Sequence, residues 1–85
     1  MKNCCLTQLG KSKTGLRESP VHGECDFLPM ENRRFRMVAP PLEDGDFRYI
    51  STSAVETIMS KEFTKELATY IFKTENTEYK LEVIR

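Results

Sequence analysis

From residue 32 onward the chain alternates apolar and polar residues with a period close to two. In Arg33-Arg34-Phe35-Arg36-Met37-Val38-Ala39 one face collects Arg33, Phe35, Met37 and Ala39, and the other Arg34, Arg36 and Val38. Side chains that alternate in this way lie on opposite faces of a strand. Pro40-Pro41 removes two backbone donors and ends that strand, and Glu43-Asp44-Gly45-Asp46 is a turn by composition. Phe47-Arg48-Tyr49-Ile50-Ser51-Thr52, aromatic and β-branched, predicts a second strand. At the C-terminus, Tyr70–Thr74 and Thr77–Val83 flank a polar turn at Glu75-Asn76. In the last segment Tyr79, Leu81 and Val83 share one face while Glu78, Lys80 and Glu82 share the other. One dry face and one wet face predict a β-hairpin.

Residues 53–67 carry two patterns at once. Val55, Ile58, Met59, Phe63 and Leu67 fall at helical spacing, and Ser53 with Glu56 matches a capping box. The Ser/Thr-rich, β-branched entrance instead continues the second strand through Met59 and turns over Ser60 to Lys65. The strand reading is preferred. Residues 1–30 show isolated apolar positions (Leu6, Leu9, Leu16, Val21, Phe27, Leu28) without a sustained period. They are expected to form an irregular N-terminal arm, at most with one short strand, lying against the sheet or a neighbouring subunit. Met30 opens the regular segment and is a candidate start. The expected fold is therefore mainly β, a sheet or barrel-like domain of four to five strands over residues 31–85. The alternative is α+β, with one helix at about 53–67 on an antiparallel sheet.

Eighty-five residues hold one domain. A chain this short buries only about 60–65% of its unfolded surface, so a second subunit, most simply in a homodimer, is an expected source of further burial. Acidic and basic residues number 13 each, so the net charge is zero. A dedicated duplex binder is usually basic overall, because phosphate neutralisation drives its affinity. The charge is nonetheless uneven: residues 1–17 hold Lys2, Lys11, Lys13 and Arg17 and no acid. No run of roughly 18 apolar residues suits a bilayer, and the start lacks a signal-peptide core. A cytoplasmic protein with no membrane contact is expected, its three Cys held as thiols.

Each candidate chemistry is weak on spacing. Gly10-Lys11-Ser12 lacks the Gly that a phosphate loop needs five residues before its Gly-Lys pair; Cys5 stands there. Cys4, Cys5, His22 and Cys25 are four potential zinc ligands, but adjacent Cys4 and Cys5 point apart in extended backbone. His22 is the only histidine, so a nucleophilic or ligand pocket would centre on Cys25 and His22. The acids at 43–46 are ordinary turn residues. No catalytic residue, metal or cofactor is assigned. Arg33, Arg34 and Arg36, with Phe35 and with Phe47, Arg48 and Tyr49 on the next strand, form the candidate surface for nucleic acid. There arginines can hold phosphates and aromatics can stack bases. The competing reading places Phe35, Phe47 and Tyr49 in the core, with the arginines paired to Glu31, Glu56 or Glu82.

The run Thr52-Ser53-x-Val55-x-x-Ile58, followed by Thr74-x-Asn76-Thr77-x-Tyr79-x-Leu81-Glu82, resembles the endings of small uncharacterised bacterial proteins carried on mobile elements, gene-cassette products among them. The resemblance covers about the last 35 residues of the chain and implies a compact β fold, with no activity and no functional residue. The expected function is binding without catalysis, by a small self-associating accessory protein. The alternatives are a nucleic-acid module using Arg33, Arg34, Arg36, Arg48 and Tyr49 with Lys11 and Lys13, and a small enzyme or ligand pocket around Cys25 and His22.

Overall fold

The computed structural model describes residues 2–10, 19–40 and 47–85. Six strands follow in chain order: β1 (Lys2–Leu9), β2 (Val21–Cys25), β3 (Arg34–Ala39), β4 (Arg48–Phe63), β5 (Leu67–Thr74) and β6 (Glu78–Ile84). Each pairs antiparallel with the next, and β1 returns to pair with β6, which closes a barrel. The mainly β, barrel-like reading is what the structure shows. No described helix is long and apolar enough to cross a membrane.

The strand count and the arm differ from expectation. The stretch 1–30, taken as an irregular arm, supplies β1 and β2, so there are six strands, and these two lie inside the same barrel as the rest. Their inward residues are small or unobtrusive: Cys4 and Leu6 on β1, and Val21 and Cys25 on β2 with Gly23 between them. A strand whose middle inward position is glycine shows no alternation to read.

β4 explains the conflict at 53–67. Sixteen residues of extended chain would span about 50 Å at roughly 3.3 Å per residue, whereas the longest dimension of the molecule is 36 Å. The strand must bend, and it does so at three bulges. Arg34 and Arg36 face Ala54 and Ser51, Thr74 and Lys73 face Val55 and Thr57, and Phe72 and Ile71 face Ile58 and Ser60. Each step places the extra residue on β4, the usual way a strand is kinked. Its first half therefore pairs with β3 and its second half with β5. The bulges also stretch the inward period: Thr52, Val55 and the partly buried Ile58 fall three residues apart. That spacing imitates a helix, but Met59 and Phe63, which a helix would have buried beside them, are 53% and 57% exposed. The loop into β5 begins at Thr64 rather than Ser60, and Thr64 is held there by its backbone and hydroxyl bonds to Leu67.

The C-terminal hairpin forms as predicted, in register from Leu67 opposite Ile84 to Lys73 opposite Glu78. Buried Thr74 closes its turn: its hydroxyl accepts from the Asn76 and Thr77 amides and donates to the Thr77 carbonyl. Inside the barrel Phe72 is fully buried, with its ring 5.4 Å from Tyr79 and 5.8 Å from Phe35. Arg33 precedes β3 and does not join Phe35, Met37 and Ala39 in the core.

Candidate binding groove

The strand pairing sets which residues meet on the outer surface. Val38 on β3 lies opposite Tyr49 on one side and Glu24 on the other, and Glu24 in turn lies opposite Asn3. One step along the barrel, Cys5 lies between His22 and Glu82, and Leu67 pairs with Ile84. Together these residues, with Pro40 and Phe47, line a half-open groove of about 850 Å³. Its rim is aromatic: Tyr49 is 86% exposed and Phe47 66%. Lone exposed apolar residues are ordinary, but two aromatics beside a shared hollow make a candidate contact surface.

The cysteines divide by strand alternation. Cys4 and Cys25 turn inward and are buried, whereas Cys5 and His22 turn outward. The Cys4 and Cys25 thiols are hydrogen-bonded to each other, and that bond and then burial hold Cys4 well above the ordinary thiol range. The same bond lowers Cys25, against a burial that would raise it. The alternative of a pocket shared by Cys25 and His22 finds no geometry here, because positions 22 and 25 lie on opposite faces of β2. His22 meets Cys5 instead, with Nε2 3.9 Å from Sγ. That distance is long for proton transfer, and among the described residues no further side chain orients the imidazole. Nor is any group of three or more His, Cys, Asp or Glu among them placed to hold a metal. Native protein treated with iodoacetamide is expected to take one label, at Cys5, and three once unfolded in urea. Mass spectrometry after digestion reads this directly, and labelling of Cys4 or Cys25 in the native state would contradict their burial.

The arginine cluster is only partly assembled. Arg34 and Arg36 face outward on β3, and Arg36 lies opposite Ser51, next to the Val38–Tyr49 pair. Phe35 goes to the core, whereas Phe47 and Tyr49 do not. Arg48, adjacent to Tyr49, takes the other phase of β4; it is half-buried and its Nε donates to the Pro40 carbonyl at 2.9 Å. Arg33 lies outside the strand, where its carbonyl accepts from the Val55 amide. Of the three carboxylates expected to pair with the arginines, Glu31 and Glu82 are engaged elsewhere. Glu31 accepts from the Ile58 amide, and Glu82 lies 3.7 Å from Lys80. Lys11, Lys13, the Gly10-Lys11-Ser12 motif beyond Gly10, and the acids at 43–46 lie outside the described residues.

Comparison with known families, curated proteins and solved structures gives no match. The groove must therefore be read from its own chemistry. The sequence singled out neither Glu24 nor Ile84, and named Cys5 and Glu82 only in other roles, as a potential zinc ligand and an arginine partner, because the meeting of these residues depends on β1 closing onto β2 and β6. Nothing in a stretch without visible period signals that closure.

Proposed function

We propose that the protein is a small non-catalytic binding protein that works through this groove. One observation carries the reading: Tyr49 and Phe47 stand 86% and 66% exposed at the rim of an apolar hollow, although the barrel has a complete core of its own. The hollow of about 850 Å³ falls within the usual size of small-molecule sites, about 300–1,000 Å³. Barrel closure leaves no open sheet edge among the described strands through which a second copy could pair. The groove is then also the face a second copy would use, and solution mass belongs in the test.

The test is an amide NMR titration with indole, a neutral aromatic probe, on wild-type protein and Tyr49→Ser. Shifts concentrated at Val38, Tyr49 and Ile84, and weakened in Tyr49→Ser without a change in melting temperature, are the expected result. Scattered or absent shifts would overturn the proposal. A short single-stranded oligonucleotide that shifts Arg34 and Arg36, with an effect that fades steeply as salt is raised, would replace it with the nucleic-acid reading.

A further inference from the structure

We infer that the groove selects a small organic cation, an ammonium or guanidinium group carried on an apolar body. The inference rests on the reading of the groove as a binding site and adds the chemistry of its occupant. The chain holds as many basic as acidic residues, 13 of each. The described lining nevertheless includes two carboxylates, Glu24 and Glu82, and neither Lys nor Arg. Four cations border it without belonging to the described lining: Arg34 and Arg36 lie further along β3, beyond Val38, Arg48 stands between Phe47 and Tyr49 with its Nε on the Pro40 carbonyl, and Lys80 lies beside Glu82.

Glu24 is exposed, and its cross-strand partners Asn3 and Val38 carry no charge. Glu82 has a partner, Lys80 at 3.7 Å, but the two side chains are 32% and 39% exposed. A pair that wet contributes little and exchanges readily for another cation. The aromatic rim acts in the same direction. Rings with a free face attract ammonium and guanidinium groups within about 6 Å, through the negative face of the ring quadrupole. Val38 and Ile84 offer an apolar wall for the rest of the ligand. An anion placed here would meet two carboxylates, with His22 the one basic residue of the described lining and Lys80 already beside Glu82.

A matched series tests this on the full chain at low salt and mildly alkaline pH: phenethylamine, phenethyl alcohol and 3-phenylpropionate, which differ chiefly in charge. The amine is expected to bind about fivefold tighter than the alcohol, the sum of one cation–π contact and one exposed charge pair. The carboxylate is expected to bind more weakly than either. In Glu24→Gln the preference for amine over alcohol should shrink to about twofold, the share of the cation–π contact that remains. Equal affinity of amine and alcohol in the wild type would overturn the inference and leave the groove a binding site. Failure of all three to shift Val38, Tyr49 and Ile84 would overturn both. Light scattering on the same samples separates the sources of the cation. A dimer that the amine dissociates would place an arginine of a second copy in the groove and overturn the small-molecule assignment.

Discussion

Replacing Phe72 with Ala is expected to remove a large share of the protein's stability. Phe72 is fully buried and stacks on Tyr79 at 5.4 Å while its ring meets Phe35 at 5.8 Å. It therefore ties β5 to β6 on one side and to β3 across the barrel. Removing a buried Phe side chain costs about 3–5 kcal/mol, because the lost transfer energy is joined by the cavity left behind. A domain of this size has only about 5–15 kcal/mol in total, usually towards the lower end. Each kcal/mol moves the midpoint of so small a domain by about 4–8 °C, so a drop of at least about 12 °C is expected. Phe72→Leu keeps most of the volume and should lose less than half as much. Circular dichroism melts of the three proteins decide the matter. A Phe72→Ala midpoint within about 3 °C of the wild type would mean that the barrel interior relaxes around the gap and that these aromatics do not hold the strands together.

The legible and illegible parts of this fold differ for physical reasons that particular residues show. The β5–β6 hairpin was readable because Tyr79, Leu81 and Val83 are all large and all inward, with charged residues between them. β3 was readable for the same reason at Phe35 and Met37. β4 misled because its bulges turned a period of two into a period of three at Thr52, Val55 and Ile58. A bulge is a property of the pair and leaves no mark in one strand alone. β1 and β2 were illegible because Cys4, Gly23 and Cys25 bury little bulk, so no dry face stands out. The groove inherits that blindness. Val38 and Tyr49 lie on two strands that the sequence predicted, but Cys5, Glu24 and Glu82 join them only through pairings of higher sequence separation. The arginine cluster illustrates the converse. Arg48 and Tyr49 are adjacent and cannot share a face, and the alternation that predicted the strand already separated them.

Gly23 shows how much of the groove depends on one missing side chain. Its backbone is not in the left-handed region, so the requirement is one of space. A Cβ at this position would run into the Val38 carbonyl oxygen, far inside van der Waals contact, and would sit 3.0 Å from Met37 Cε. The methionine end can move, but the carbonyl belongs to β3 and cannot move without the strand. Only Glu24 and Val38 are in register between β2 and β3, so this is the thinnest seam of the barrel. Gly23→Ala is therefore expected to cost about 2–4 kcal/mol, the upper range for added bulk at a packed site. The corresponding fall in melting temperature is at least about 8 °C. Loss should be local before it is global: amide exchange in β2 and β3 should speed up more than in the β5–β6 hairpin. Because Cys25 is on β2 and Cys4 lies opposite Gly23 on the neighbouring β1, both facing the interior behind that seam, iodoacetamide should begin to reach them at temperatures where the wild type still labels only Cys5. Unchanged melting, with Cys4 and Cys25 still protected, would show that β3 can step back from β2 freely. The groove would then be a deformable surface, and its present shape would not be the one that selects a ligand.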